Sequence, residues 1–220
     1  MAKVIIILGP PGSGKGTQSD FICQKLKLSY IGSGELLRAR KKRRDFTGLQ
    51  IACYIDIGKR VPTPAIFYLW MAEFEKIKKT AKLNGFIIDG SPRSVLEAEM
   101  LDLTLSWYDW EKNQKVIYIK LSPQESVRRL TKRRQCAKCS EVIPYFGEFK
   151  AMKKCPQCGG ELVARPDDTI QGVKERLKWF KTDVVPAINY YRKKGILLTI
   201  NGEQSIENVS RDILKALKQF

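Results

Sequence analysis

Residues 4–18 read VIIILGPPGSGKGTQ, and this stretch decides the fold. Five apolar residues, Val4 to Leu8, run straight into a loop holding four glycines and one lysine. A short, uninterrupted apolar run rich in β-branched residues suits a strand buried on both faces. Gly9 to Thr17 then matches G-x-x-x-x-G-K-[ST], with a strand before it and a helical pattern after it. Glycines let successive backbone N–H groups curl inward around phosphate oxygens, and the start of the next helix adds the positive end of its dipole. Gly12, Ser13, Gly14, Lys15, Gly16 and Thr17 are thus expected around a nucleotide's phosphates. Lys15 would reach the β and γ phosphates, and the Thr17 hydroxyl would face magnesium.

Outward from this stretch, strands alternate with helical patterns. The runs at 29–31, 86–89, 116–121 and 196–200 repeat the character of 4–8, which predicts an α/β fold with a five-stranded parallel sheet covered on both faces. Ser122, Pro123 and Glu125 read as a capping box opening a helix. The last helix repeats Ile206, Val209, Ile213, Leu214 and Leu217 at helical spacing. Segments 32–61 and 132–168 break the alternation and read as insertions into one core, formed by 1–31, 62–131 and 169–220.

The chain has 220 residues and is 43% hydrophobic, enough for one large core. No stretch approaches the roughly 18 apolar residues of a membrane span, and the run at 4–8 is too short for a secretory signal, so the cytosol is the expected compartment. Forty Lys and Arg against 23 Asp and Glu give a net charge of +17, suited to polyanions. Part of that charge, such as RARKKRR at 38–44, is expected on a solvated surface. Histidine is absent, which excludes Ser-His and Cys-His nucleophiles and histidine metal ligands. Cys136, Cys139, Cys155 and Cys158 follow C-x2-C-x15-C-x2-C, the spacing of a tetrahedral zinc site built from two knuckles. Four thiolates close the shell, so the metal would be structural. Cys23 and Cys53 stand apart and read as buried thiols.

GPPGSGKGTQ is followed in order by IGSGELLR (31–38), GKRVP (58–62), GFIIDGSPRS (85–94), RRLTKRR (128–134), RPDD (165–168) and ERL (175–177). With the cysteine knuckles, this series resembles the adenylate kinase family, in its form with a zinc-bearing lid, over residues 3–217. The resemblance implies a three-layer α/β/α P-loop core, monomeric, carrying a segment for the nucleoside monophosphate (NMP) and a lid. It also implies ATP and AMP as substrates, with magnesium. Arg38 and Arg93 would clamp the monophosphate, with Ser33, Val61 and Gly90 around it. Arg133, Arg165 and Arg176 would close over the transferring group, the last two reaching the acceptor as well. Arg129 would lie against the ATP base beside the backbone of Gly202 to Gln204, and Asp89 would hold water on magnesium. Asp167 and Asp168 would latch the lid or pair with nearby lysines. Arginine suits such work because its planar fork is bidentate to phosphate and stacks on rings.

Departures from the family pattern fall at the acceptor's base. PRSVLEAE stands where the family has PRTVPQAE, placing Glu97 where a glutamine reads adenine. A carboxylate only accepts hydrogen bonds, so Glu97 taken alone suits guanine's adjacent donors better. Ser91 replaces a phenylalanine, which makes that wall smaller and more polar. Ser33 for threonine and Glu35 for aspartate are neutral toward AMP. The alternatives to an AMP kinase are a kinase of GMP or a pyrimidine monophosphate on the same scaffold, or a P-loop protein associated with RNA.

Overall fold

The structure, a computed structural model, describes residues 2–57, 59–80, 83–165 and 168–218. In chain order its elements are β1 (Lys3–Leu8), α1 (Lys15–Leu26), β2 (Ser29–Gly32), α2 (Ser33–Lys41), α3 (Phe46–Asp56) and α4 (Thr63–Lys78). Then follow β3 (Gly85–Asp89), α5 (Val95–Trp107), β4 (Gln114–Lys120) and α6 (Pro123–Leu130). The cysteine segment carries β5 (Arg134–Cys136), β6 (Val142–Ile143) and β7 (Leu162–Ala164). The chain closes with α7 (Ile170–Trp179), a π-helical turn (Phe180–Val184), α8 (Val185–Lys193), β8 (Leu197–Asn201) and α9 (Ile206–Leu217).

Five strands form a parallel sheet in the order β2-β3-β1-β4-β8. Because side chains alternate along a strand, the isoleucines and valines of β1 divide between two cores. Val4, Ile6 and Leu8 pack with Trp70, Phe74, Leu101 and Tyr191 from α4, α5 and α8. Ile5 and Ile7 pack with Ile22 of α1 and with Val209, Ile213 and Leu217 of α9. Each such buried side chain contributes about 1.5–3 kcal/mol relative to its exposed state, so the hydrophobic run before the glycine loop is the centre of the molecule.

From β1 the chain steps outward to β2, returns to β3, then crosses to β4 on the far side of β1. Ligands of open α/β sheets sit outside the carboxyl ends of the strands where the order reverses in this way. Both β1 and β3 end there, and Ile7 is paired in register with Asp89. Topology therefore sets the glycine loop beside an acidic residue eighty positions away.

Three details differ from the sequence reading. Ser122 does cap α6, accepting from the Glu125 N–H at 3.3 Å, but the reciprocal half of the capping box is missing. The Ser122 N–H goes to Glu203 Oε1 at 2.8 Å, while Glu125 pairs with Arg128 and Arg129. Two arginines outcompete one backbone donor because charge-assisted bonds are about twice as strong. Cys53 is exposed rather than buried, since α3 turns Gly48 and Ile51 inward and Cys53 falls off that face. Cys23 is half-buried, and desolvation pushes its thiol up to about 11.

Candidate active site

The loop between β1 and α1 is shaped by two glycines in the left-handed region, Gly12 at φ 80° and Gly14 at φ 86°. A Cβ at Gly12 would also lie 3.1 Å from Leu130 Cγ, so α6 packs closely against this turn. Lys15 opens α1 and folds back across the loop, its Nζ donating to the carbonyls of Gly9 at 2.7 Å and Pro10 at 3.0 Å. Ser13 is buried beneath it. Burial pulls the Lys15 ammonium down to about 8, with Asp89 opposing and Arg93 and Arg133 assisting. The direction follows from desolvation of a cation aimed at anions. Only the protonated amine attracts phosphate, and bound phosphate restores its higher pKa. We therefore expect kcat/KM for ATP to fall as pH rises through about 8, with kcat at saturating ATP little changed. A pH profile of the two parameters checks this.

Asp89 ends β3 beside the start of α1, where a Cβ on Gly16 would lie 3.8 Å from its Oδ2. Tyr30 donates its hydroxyl to that Oδ2 at 3.1 Å. The other oxygen, Oδ1, is shielded from solvent with no hydrogen-bond partner among the described residues. Burial raises the Asp89 pKa against the pull of Lys15, Tyr30 and Arg93. A buried oxygen without a donor, close to Gly16 at the head of α1, fits a hydrated divalent cation.

One cleft of about 710 Å³ opens in front of the loop. Its walls include Lys15, Arg38, Gly90, Arg93, Arg165 and Arg176, so six of the anticipated residues share one space. Arg93 is steered there by its own backbone, Nε donating to the Gly90 carbonyl at 2.8 Å. Burial lowers the pKa of its guanidinium, with Glu97 opposing. Arg133 reaches the group indirectly. Its Nε and Nη2 bind Asp168 in a bidentate fork at 2.7 and 2.9 Å, and Arg176 binds the same carboxylate at 2.7 Å. Asp168 thus pairs with arginines of the site and gathers two of them. Asp167 lies outside the described residues.

Ser33 and Val61 are buried beside the cleft rather than along it, in a small cavity shared with Glu97. Ser33 accepts from the Trp70 indole at 3.3 Å. Arg129 donates to the Gly202 carbonyl at 2.9 Å and stacks on the Phe146 ring at 4.9 Å, which brings together two segments expected at the donor base. The Gln204 side chain turns away to Asp212 at 2.7 Å. Phe146 and Asp183 were not legible from sequence, since nothing in their local spacing marks them, and Arg60, although inside GKRVP, carried no sign of its partners Glu97 and Asp183.

The four cysteine sulfurs lie within 4.8 Å of one another. Cys136 Sγ to Cys158 Sγ is 3.4 Å, and Cys139 Sγ to Cys155 Sγ is 3.6 Å. These separations are far from a disulfide, about 2.05 Å, and near the roughly 3.8 Å edge of a zinc-tetrathiolate tetrahedron with 2.3 Å bonds. The Cys139 N–H donates to Cys136 Sγ, as does that of Lys138, holding the Cys136 thiol down to about 6. The donor set and its spacing fit a tetrahedral thiophilic metal.

Guanidinium groups sharing one cleft with a glycine loop of the P-loop pattern suit transfer of a phosphoryl group between two bound molecules, and the class is that of P-loop phosphotransferases. Residues 7–196 match the family Adenylate kinase. The chain is 38% identical to an adenylate kinase of Dehalococcoides mccartyi over 214 residues, 97% of each chain. It is 36% identical to one of Chlamydia pneumoniae over 215 residues, 98% of this chain and 97% of the relative. With one of Archaeoglobus fulgidus it shares 36% over 217 residues, 98% of each. The chain belongs to the adenylate kinase family. It is an enzyme, a nucleoside monophosphate kinase, and the reaction of that family is reversible phosphoryl transfer from ATP to AMP, giving two ADP. No helix among the described residues is long and apolar enough to cross a membrane.

Proposed function

We propose that the two nucleotides meet in the cleft between the glycine loop and segment 32–61, with the lid 132–168 closing from the other side. The observation that carries this reading is the sharing of one cleft by Lys15, Arg38, Arg93, Arg165 and Arg176. Phosphoryl transfer asks little covalent chemistry of a protein; it asks for in-line positioning and for cations on the spreading charge. The loop amides of Gly12 to Thr17 and the Lys15 ammonium hold the donor's phosphates still. Arg38 and Arg93 fix the acceptor's phosphate, with Ser33, Val61, Gly90 and Glu97 around its nucleoside. Arg133, Arg165 and Arg176 cover the group in flight.

Asp168 has a part of its own. With its carboxylate it holds Arg133 and Arg176 together before phosphate arrives, so the clamp is assembled in advance and its ordering entropy is partly met by the fold. Arg129 and Phe146 form the platform for the donor base, beside the backbone of 202–204. Thr17 and Asp89 would hold magnesium through water, and the ion supplies charge neutralisation at the donor phosphates when bound. The four cysteines would hold a structural zinc that stiffens a lid too small for a core of its own. Closure of both segments excludes water, against which the transferable phosphoryl would otherwise be lost. The enzyme is expected to act as a monomer in the cytosol.

The test is initial-rate kinetics with ATP and each of AMP, GMP, CMP and UMP. AMP is expected to give the highest kcat/KM; a clear preference for another monophosphate overturns AMP as the acceptor while leaving the kinase reading in place.

A further inference from the structure

Arg60 lies between two acidic side chains. Its Nη2 donates to Glu97 Oε1 at 2.6 Å and its Nη1 to Asp183 Oδ2 at 3.3 Å. The second oxygen of Glu97 accepts from the Arg93 N–H at 2.6 Å. The Glu97 side chain is 2% exposed and that of Arg60 27%. Both line the small cavity holding Ser33, Val61 and Ser91, and Arg60 also borders the main cleft beside Arg93. A partly buried cation thus bridges a buried carboxylate and the space where phosphates gather.

We propose that Arg60 and Glu97 act as one base-reading pair for the acceptor nucleotide. Glu97 accepts from an exocyclic amine, and Arg60 donates to the unprotonated ring nitrogen beside it. The proposal rests on the reading that places the acceptor's nucleoside against Glu97.

The physical case begins with charge. A buried carboxylate without a partner is costly and favours a base carrying two adjacent donors. Paired with a guanidinium, the same carboxylate is neutralised and is no longer a lone acceptor. Each carboxylate oxygen has two lone pairs, and each oxygen of Glu97 has spent one. A guanidinium carries five N–H donors, and Glu97 and Asp183 take one each. One donor beside one acceptor is what a glutamine amide presents. The pair restores, with two side chains, the pattern that a carboxylate alone lacks. Adenine answers it through an exocyclic amine next to a bare ring nitrogen, and cytosine through the same edge on a smaller ring. Guanine and uracil place a ring N–H against the Arg60 donors, and a site with buried polar groups discriminates strongly against such a mismatch.

Asp183 and the Arg93 N–H then act as positioning groups. Asp183, in the turn between α7 and α8, orients the fork from the side facing the cleft. The Arg93 N–H ties the base reader to a residue placed on the acceptor phosphate.

The experiment compares the wild-type enzyme with Arg60→Leu, Glu97→Ala and the double variant Arg60→Leu/Glu97→Gln, measuring KM and kcat for AMP, GMP and CMP and KM for ATP. Arg60→Leu is expected to raise KM for AMP about tenfold to a hundredfold, the range for losing a charged donor, and to lower the AMP:GMP ratio of kcat/KM. KM for ATP should stay in place. The double variant should regain AMP and its preference over GMP, because the amide supplies the lost donor. If Arg60→Leu weakens every monophosphate alike and leaves the AMP:GMP ratio unchanged, Arg60 only supports the fold and the pair is overturned. If Arg60→Leu leaves KM for AMP untouched while Glu97→Ala raises it, Glu97 reads the base unaided; the pair falls and the placement of the acceptor survives. If neither substitution moves any monophosphate KM, the base binds elsewhere and both readings fall.

Discussion

Lys15→Met should lower kcat/KM for ATP by about a thousandfold while leaving the fold intact. The magnitude is that of removing one preorganised charge donor aimed at developing phosphoryl charge, about a hundredfold to a thousandfold. The upper end applies because Lys15 is partly buried at the floor of the cleft, close to Arg93 and Arg133, where screening by water is reduced. Methionine keeps the length and apolar stem of the lysine and deletes its charge. The loop loses three hydrogen bonds, to the Gly9 and Pro10 carbonyls and to Ser13 Oγ, each worth about 1.5–3 kcal/mol at most for a charged donor. Part of that loss is returned, because desolvating the ammonium already costs energy in the folded protein. A coupled ADP-formation assay with a melting curve on the same sample separates the outcomes. A variant that melts normally and turns over within tenfold of wild type would show that the loop amides hold the donor phosphates without Lys15.

The second large effect is on stability. Stripping the metal with a strong chelator, or changing Cys139→Ser, should lower Tm by about 8–16 °C, taking a loss of about 4 kcal/mol and about 2–4 °C per kcal/mol for a chain of this size. A structural tetrathiolate site contributes more than this to a free zinc finger. Here the three short strands of β6-β5-β7 and the covalent connections at both ends retain part of the order. Activity well below the melting temperature should fall less steeply than stability, because none of the four cysteines lines the main cleft. Proteolysis should move into the 137–164 region on metal removal. An unchanged Tm after verified metal loss would sink the structural-metal reading.

Local features were legible because their physics is local. The glycine loop announces itself through nine consecutive residues, the knuckles through repeated ligand spacing, and the strands through runs of β-branched residues. The helix cap at Ser122 depends on an N–H three residues away, within reach of sequence. The failed half of the capping box shows the boundary. The Glu125 side chain was assigned to its nearest backbone donor, but Arg128 and Arg129 hold it, and Glu203 arrives from 81 residues away to take Ser122.

The amino-acid sequence by itself determined that this chain builds a parallel α/β core, that its first loop has the spacing of a phosphate-binding loop, and that four cysteines are spaced for one metal. Only the tertiary structure decided that Arg60 neutralises Glu97, which sequence had treated as a lone acceptor, and that Asp168 gathers Arg133 with Arg176. The reason is separation along the chain. Arg60 and Glu97 are 37 residues apart, and Arg133 and Asp168 are 35 apart. A charge's partner, unlike a strand's pattern, is set by which elements the sheet order brings to the same end.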